Sequence, residues 1–400
     1  MNKTPTKIGI LTYTSNYNIG TFFQAYATLC SVRRAFPNAH VEIINYNSKT
    51  KYAQVGYNRL NLKKRHIYLP FLYRHLLRQR RYQHTQKQYL EIDASQGLFS
   101  DSYDEAVKFI AGKSYDLIIV GSDTVLNFYE WNFSQNELPI YWLPPDLGII
   151  KVMLASSIGT DLTLDSLDAP ILKALAHSAE CFEMLAVRDK ITQEFLLELV
   201  PQLKSRIGLV PDPTFSYQVD TSHADRYLKR CGIDQSIPLI GLDLPLNVPG
   251  TQEAIQHFKS KGYRIVSWRG GTKVSDYDFS DMTPFQWAGM FANYNLTLTN
   301  RFHASIFSLK NLTPVIALDC KPERVTASRR SKISLLLEDF GLRGTNYCNA
   351  THLTDKKWIL QTMESTLAEP QTELIIANLS SMKCAYEVYL SNIADLPCFG

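Results

Sequence analysis

The chain has 400 residues, 45% of them hydrophobic and 12% aromatic, and a formal net charge of +4, a globular composition with room for two or three domains. Its seven cysteines form no C-x-x-C pair and no Cys/His cluster, which argues against a zinc site and favours reduced thiols in an intracellular protein. No apolar run approaches the roughly 20 residues of a membrane-spanning helix, and the N-terminus lacks a signal-peptide pattern. A soluble, cytoplasmic protein is therefore expected, with at most a peripheral contact with membrane.

Short apolar strands alternate with segments of helical periodicity along most of the chain. In the N-terminal half the predicted strands are 7–13, 40–46, 115–123, 151–159 and 184–189, and the predicted helices are 21–36, 168–182 and 191–200. In the second half the predicted strands are 237–244, 263–268, 296–299 and 313–319, and the predicted helices are 251–262, 284–294 and 303–311. Strands separated by helices of this length indicate parallel sheets covered on both faces.

The predicted fold class is therefore α/β, with two Rossmann-like, doubly wound domains facing across a cleft. The first domain is placed at 1–220 and the second at 235–370. The linker is predicted within 216–236, where polar residues dominate and no strand pattern runs. Residues 371–400 are predicted to form a C-terminal helix that could cross back to the first domain.

Residues 57–90 form a basic amphipathic insertion in the first domain. The insertion contains no Asp or Glu, and basic residues that include Arg78, Arg80 and Arg81 are interleaved with Leu and Tyr. One interpretation is peripheral contact with an anionic membrane surface. The other is a helix whose apolar side packs on its own domain. Nucleic acid is not an expected partner, because no recognised binding pattern accompanies the charge.

Open parallel sheets bind ligands beyond the carboxyl ends of their strands, where helix N-termini offer backbone N–H groups. This rule selects short polar stretches that follow predicted strands. They are "NYNIG" (16–20), "GSD" (121–123), "SSIG" (156–159), "RDK" (188–190), "DPT" (212–214) and "NRFH" (300–303). With two domains, the cleft between them is the default ligand site.

Arg301 and His303 lie where a predicted strand ends and a helix begins. The helix dipole favours an anion at this position, and the guanidinium of Arg301 matches a carboxylate or phosphate bidentately. Such a pair suits a ligand with charge to neutralise and a proton to move. The alternative is that His303 caps the helix and Arg301 pairs with a neighbouring carboxylate.

Arg188 ends a strand of the first domain, where it could reach the cleft or form an internal salt bridge with Asp189 or Asp212. Ser122 and Asp123 could grasp a polyol, with Asp123 acting as a base. The alternative for these two residues is a plain turn at the end of a strand.

Asn18 and Gly20 occupy a strand-to-helix turn of the kind that phosphate and sugar sites use. The sequence has neither G-x-G-x-x-G nor a Walker loop, which argues against dinucleotide and P-loop sites. It also lacks G-x-S-x-G, H-E-x-x-H and a DxD-type metal motif at a matching strand end. A site without metal or other cofactor, lined by basic groups, fits transfer from an anionic donor.

Several motifs in order, "GILTYTSNYNIGTFFQAYA", "YDLIIVGSD", "ASSIGT", "AVRDK", "VPDPTF" and "TNRFHASIFS" followed by "TPVIAL", resemble the polysaccharide pyruvyl transferase family. The resemblance runs from about residue 8 to about residue 340. It implies two Rossmann-like domains arranged as in GT-B glycosyltransferases. It also implies transfer of the pyruvyl group of phosphoenolpyruvate to a sugar, as a ketal across two hydroxyls, with release of phosphate.

The resemblance also implies roles for matching residues. The family's R-x-H element falls on Arg301 and His303, which are expected to hold the donor carboxylate or phosphate, with His303 as the acid. The Arg of its V-R-E/D element falls on Arg188, expected to meet the donor from the other domain. Its "GSD" element places Ser122 and Asp123 near the acceptor. The chemistry of the residues, apart from the resemblance, makes Asp123 the candidate base for the sugar hydroxyls.

The expected partners are phosphoenolpyruvate and a glycan or lipid-linked sugar acceptor. Asn18 and Gly20 are assigned to the acceptor side as well. If the acceptor is lipid-linked at the inner face of the membrane, the insertion 57–90 could dock the enzyme there.

Two other functions remain open from the sequence. A GT-B-type nucleotide-sugar glycosyltransferase would need an aromatic or carboxylate contact for base and ribose. A non-catalytic glycan-binding member of the family is the other alternative. The presence of Arg188, Arg301 and His303 together argues against the non-catalytic alternative.

Overall fold

The chain divides into two compact units. The computed structural model describes the residues 6–14, 17–50, 69–92, 97–127, 138–159, 162–269, 273–320, 331–351 and 353–396, with side chains in the helix that begins at Leu69 described from Leu76 onward. The first unit comprises the described parts of Met1–His66, Gln83–Tyr217 and Met382–Gly400. The second comprises the described parts of Ile67–Tyr82 and Gln218–Ser381.

Six parallel strands form the sheet of the first unit. They are β1 (Lys7–Leu11), β2 (His40–Ile43), β5 (Leu117–Val120), β6 (Ile150–Ser156), β7 (Met184–Val187) and β8 (Ile207–Leu209), in the spatial order β2-β1-β5-β6-β7-β8. Two short strands, β3 (Tyr46–Asn47) and β4 (Leu98–Phe99), form a separate pair. Strand order reverses between β1 and β5, which is the topological switch point of a doubly wound sheet.

Helices cover this sheet, and every residue of β5 is accordingly buried. The α-helices of the first unit are Ile19–Ala35, Tyr103–Ala111, Ala169–Glu180 and Lys190–Leu199, joined by 3₁₀ turns at Pro145–Leu147, Leu164–Ser166, Pro201–Arg206 and Pro213–Ser216. Asp189 is the N-cap residue of the helix Lys190–Leu199, and its side chain accepts a hydrogen bond from the Thr192 N–H.

The second unit repeats this architecture with another six-stranded parallel sheet. Its strands are β9 (Leu239–Asp243), β10 (Arg264–Ser267), β11 (Tyr277–Asp278), β12 (Leu296–Thr299), β13 (Val315–Asp319) and β14 (Tyr347–Asn349), in the spatial order β11-β10-β9-β12-β13-β14. Its helices are Ser222–Arg230, Thr251–Ser260, Pro284–Met290, Phe302–Lys310, Lys332–Asp339, Arg343–Asn346 and Trp358–Ala368, with a 3₁₀ turn at Phe291–Asn293. Strand order reverses here between β9 and β12.

The predicted α/β fold with two Rossmann-like, doubly wound units is confirmed. Most predicted strands match observed ones, and β12 has the predicted bounds. Other strands end earlier than predicted. The predicted strand 115–123 ends at Val120, and the polar residues after it form the turn that leaves the sheet.

The linker is predicted within 216–236, and the boundary between the two units lies inside this stretch. The boundary between the units falls between Tyr217 and Gln218, and the helix Ser222–Arg230 then belongs to the second unit. This helix buries Ala224, Tyr227 and Leu228. Three apolar residues at helical spacing are enough to pack one face of a short helix, although the surrounding composition is polar.

The prediction placed the whole basic insertion in the first domain, whereas its described part is divided between the two units. Residues 57–68 lie outside the described residues, and the helix Leu69–Tyr89 follows them. The part of this helix up to Tyr82 belongs to the second unit, and the part from Gln83 onward belongs to the first. Composition indicates that the helix is amphipathic, but it does not specify the surface on which the helix packs.

The C-terminal helix Thr372–Ala394 contributes its last part to the first unit. The Tyr386 hydroxyl lies 3.0 Å from the Ser31 hydroxyl, and both side chains are buried. Gly208 in β8 leaves room for Tyr389, because a Cβ there would lie 1.4 Å from the tyrosine hydroxyl. Among the described helices, none combines the length and apolar character needed to cross a membrane.

Candidate functional site

The carboxyl ends of the first unit's strands hold a buried charge network formed by Asp123, Arg188 and Asp212, which we call the first-unit network. One guanidinium nitrogen of Arg188 lies 3.0 Å from a carboxylate oxygen of Asp212, and the other lies 3.9 Å from Asp123. The Arg188 side chain is 5% exposed and that of Asp212 is 1% exposed. The structure thus contains the internal salt bridge with Asp212 that was the alternative interpretation of Arg188.

Asp212 is satisfied by further donors. The Gln24 side-chain amide donates to Oδ2 of Asp212 at 2.7 Å. The Thr214 N–H and hydroxyl donate to Oδ1 at 3.0 and 2.6 Å. A buried carboxylate with this many donors is held in one orientation, as buried charges require.

Asp123 has a left-handed backbone, with φ of 91°, and its side chain is 16% exposed. The Thr21 hydroxyl donates to one carboxylate oxygen at 2.9 Å, and the Thr124 N–H donates to the other at 2.8 Å. A non-glycine residue at positive φ is held there by its surroundings, and such residues cluster at functional sites. The structure therefore fixes the Asp123 carboxylate at the sheet edge, and its role as a base stays a prediction.

The other predicted acceptor residues lie at the same edge of the sheet but differ in their exposure to solvent. Asn18 is exposed, and its side-chain oxygen accepts a hydrogen bond from the Gly20 N–H at the start of the helix Ile19–Ala35. Ser122 is completely buried, and its backbone carbonyl accepts a hydrogen bond from the Thr12 hydroxyl at 3.0 Å. The structure therefore does not bring Ser122 to an accessible surface.

Arg301 and His303 lie at the carboxyl end of β12 in the second unit, as predicted. Arg301 is the N-cap residue of the helix Phe302–Lys310, and its N–H donates to the Thr299 hydroxyl at 3.0 Å. Its side chain is 51% exposed. His303 is partly buried in the first turn, so it does not occupy the N-cap position that the alternative interpretation gave it.

Asp243, the last residue of β9, is the charged neighbour of Arg301. Its carboxylate lies 4.0 Å from Nε of Arg301 and 3.7 Å from a guanidinium nitrogen of Arg269. The Asp243 side chain is 9% exposed, whereas the two arginine side chains are about half exposed. Burial raises the pKa of Asp243 from 3.8 to about 6, and the charges of Arg269 and Arg78 counteract this shift in part. We call Asp243, Arg269 and Arg301 the second-unit cluster.

The sequence model of the polysaccharide pyruvyl transferase family matches residues 18–322, well over half of the chain. The chain belongs to this family. The match covers the first-unit network and the second-unit cluster. No curated protein sequence is similar enough to this member of the polysaccharide pyruvyl transferase family to count as a relative.

Solved structures share the fold of this family member at low sequence identity. A Listeria monocytogenes protein described as a UDP-N-acetylglucosamine 2-epimerase has 10% identity and a TM-score of 0.58, covering 98% of this chain and 96% of its own. UDP-GlcNAc 2-epimerases from Neisseria meningitidis and Methanocaldococcus jannaschii have 10% and 12% identity, TM-scores of 0.54, and coverage of 97% of this chain and 99% of their own. At such identities the likeness establishes the fold alone.

The sequence interpretation missed Asp243 and Arg269 as candidate site residues. Both carry the signal that selected the other candidates, because Asp243 ends β9 and Arg269 follows β10 in "SWRGG". The predicted strand 237–244 continued past Asp243 and so concealed it inside a core segment.

Proposed function

We propose that the protein transfers the pyruvyl group of phosphoenolpyruvate to two hydroxyls of one sugar, in a cell-surface polysaccharide or its lipid-linked precursor, and forms a ketal. Family membership supports pyruvyl transfer. The observation that supports this donor is a pair of half-exposed guanidinium groups at the carboxyl edge of the second sheet, where Arg301 and Arg269 flank the carboxylate of Asp243. Phosphoenolpyruvate presents a carboxylate and a phosphate, and guanidinium groups match both.

The reaction requires that C3 of the donor gain a proton and that C2 exchange its phosphate for two sugar oxygens. In the proposed sequence His303 protonates C3 while the first hydroxyl attacks C2. The bond between C2 and the phosphate oxygen then breaks, and the second hydroxyl attacks C2 to close the ketal. The two hydroxyls release two protons, of which one restores His303 and the other leaves with phosphate.

His303 suits the role of acid because an imidazole exchanges a proton near neutral pH, and it lies two residues from Arg301 in the first turn of the helix Phe302–Lys310. Asp123 is the proposed base for the sugar hydroxyls, since its carboxylate is oriented by Thr21 and partly exposed. Acceptor contacts by Asn18, Gly20 and Ser122 and a donor contact by Arg188 stay predictions, as does membrane contact through 57–90.

A comparison of two histidine variants tests the proposal. His303→Ala should lower phosphate release from phosphoenolpyruvate and sugar acceptor by at least ~100-fold, which is the usual contribution of a general acid. His257→Ala is the matched control, because His257 lies in the same unit and pairs at the surface with Glu364. Equal turnover by the two variants would remove His303 from the mechanism.

The donor class is tested separately on the unaltered protein. Phosphoenolpyruvate should raise the thermal unfolding midpoint, because a ligand that binds only the folded state stabilises it. Mass spectrometry of the sugar product should show one added pyruvyl group. Stabilisation by nucleotide sugars alone, with no pyruvylated product, would contradict the proposed donor.

A further inference from the structure

The carboxylate of Asp243 lies between two guanidinium groups and presents a different oxygen to each of them. Oδ1 lies 3.7 Å from a terminal nitrogen of Arg269, and Oδ2 lies 4.0 Å from Nε of Arg301. These contacts are ion pairs, longer than hydrogen bonds, so they orient the arginines while leaving them able to turn toward a ligand. One carboxylate thus links the two arginines of the second-unit cluster.

The backbone fixes Asp243 in place, whereas the two arginine side chains extend into solvent. Asp243 is the last residue of β9 and pairs with Thr299 of β12. Its carbonyl accepts a hydrogen bond from the Asn300 N–H at 3.1 Å. Its side chain is largely buried, whereas those of Arg269 and Arg301 are about half exposed. A half-exposed arginine keeps much of its rotamer freedom unless a fixed charge orients it, and Asp243 supplies that charge.

The side of the Arg301 guanidinium that faces Asp243 determines which nitrogens remain for a ligand. The ion pair involves Nε. Among the residues that the structure describes, none forms a hydrogen bond or an ion pair with the two terminal nitrogens. These nitrogens form the outer edge of the guanidinium, which can bind a carboxylate or phosphate bidentately. An arginine held by Nε therefore presents its terminal edge to a ligand.

We propose that Asp243 is a positioning residue of the donor site, which holds Arg301 and Arg269 in the arrangement that binds both anionic groups of one small molecule. This inference rests on the proposed function and adds to it a residue that acts on the donor through the two arginines. Phosphoenolpyruvate, with its carboxylate and its phosphate, is a molecule of this class.

The effect of Asp243 on stability supports a functional role. Burial raises the pKa of Asp243 from 3.8 to about 6 although guanidinium groups lie nearby, so its ionised form lowers the stability of the fold near neutral pH. An uncharged side chain of the same shape would avoid this loss. Groups that lower stability and have a shifted pKa are typical of sites where function and stability compete.

Asp243→Asn, which keeps the shape of the side chain and removes its charge, tests the proposal by calorimetric titration with two anions. The Kd for phosphoenolpyruvate should rise at least about fivefold, because the guanidiniums lose the alignment that two anionic groups need at once. The Kd for inorganic phosphate should stay the same or fall, because a single anion adapts to either guanidinium and is no longer repelled by the carboxylate.

Asp276→Asn is the matched control, because Asp276 pairs with Lys259 in the same unit, and this variant should leave both Kd values unchanged. If Asp243→Asn binds phosphoenolpyruvate as tightly as the unaltered protein or more tightly, the carboxylate does not position the arginines and the proposal is wrong. An equal rise in both Kd values would show a general disturbance of the site and would also overturn it.

A double-mutant cycle tests whether Asp243 acts through Arg301. Arg301→Met should weaken phosphoenolpyruvate binding, and Asp243→Asn should lose most of its effect when Arg301→Met is already present, because one of the two guanidiniums that it orients is gone. An equal effect of Asp243→Asn in both backgrounds would contradict the positioning of Arg301. Denaturant unfolding at the same pH shows whether each variant is folded.

The same titrations separate this inference from the proposed function. If the unaltered protein makes the pyruvylated product and Asp243→Asn binds phosphoenolpyruvate with the same Kd, only the role of Asp243 fails. If phosphoenolpyruvate binding depends on Asp243 but no pyruvylated product forms, the positioning role stands and the proposed reaction fails. If the unaltered protein does not bind phosphoenolpyruvate, both fail.

Discussion

Both sheets carry charged side chains at the carboxyl ends of their strands, but the ratio of positive to negative groups is reversed between them. In the first-unit network one guanidinium serves two carboxylates, and Arg188 and Asp212 are almost completely buried. In the second-unit cluster two guanidiniums flank one carboxylate, and Arg269 and Arg301 are about half exposed. The network therefore satisfies its charges internally, whereas the cluster has positive charge to offer a ligand.

This difference shows that position alone does not identify a ligand-binding arginine. Both Arg188 and Arg301 follow a parallel strand, so the sequence pattern predicts a ligand contact for each of them. Their surroundings distinguish the two arginines. The buried guanidinium of Arg188, paired with a carboxylate at 3.0 Å, contributes to the stability of the fold. The exposed guanidinium of Arg301, 4.0 Å from its carboxylate, can bind another anion. Three predictions test this contrast, and we expect the effects of Arg188→Met, Asp243→Asn and Arg269→Gln on stability to decrease in that order.

Arg188→Met should have the largest effect on stability. It leaves the buried Asp212 carboxylate without its cation, and removal of one partner of a buried pair costs about 3–5 kcal/mol of unfolding free energy. Arg301→Met, the same change at an exposed site, should cost about 1 kcal/mol or less. Denaturant unfolding of both variants measures the difference. Similar losses would show that the two arginines are not distinguished by burial.

Asp243→Asn should stabilise the protein at pH 7.5 and have little effect near pH 4. The folded-state pKa of Asp243 is raised from 3.8 to about 6, so the folded protein holds this proton more tightly than the unfolded chain. The free energy of unfolding therefore falls by up to roughly 3 kcal/mol as the pH rises from 3.8 to about 6, and it stays at the lower value at higher pH. The variant removes this loss.

Denaturant unfolding at the two pH values checks this prediction. Asp276→Asn is the control, because the Asp276 carboxylate pairs with Lys259 at 2.9 Å and its removal should destabilise the protein at pH 7.5. A stability difference between Asp243→Asn and the unaltered protein that does not change with pH would contradict the raised pKa.

Arg269→Gln should have the smallest effect on stability, below about 0.5 kcal/mol, because the side chain is half exposed. It should still weaken phosphoenolpyruvate binding several-fold, since it removes one positive charge from the cluster. Arg264→Gln is a matched control at the other end of β10, where Arg264 is exposed. The prediction fails if calorimetry gives the same Kd for both variants.

Local patterns predicted the fold because each strand and helix has its own periodicity. They also placed Arg301 and His303 at a strand end, since the change from strand to helix is visible in the sequence. The apolar residues around Asp243 concealed it, because a strand that ends in "LDL" looks the same as one that continues. The contact of Arg81 with Asp281 spans 200 residues, and no local pattern specifies such a partner.

The C-terminal helix has a consequence for the order in which the protein is made. Ser31 and Gly208 are synthesised early, but their partners Tyr386 and Tyr389 follow the whole second unit. At the usual ~5–20 residues per second, the ribosome needs on the order of ten seconds or more to make the intervening segment. During that time the surfaces that receive Tyr386 and Tyr389 lack their native cover. The first unit is therefore the first to begin folding and the last to be completed.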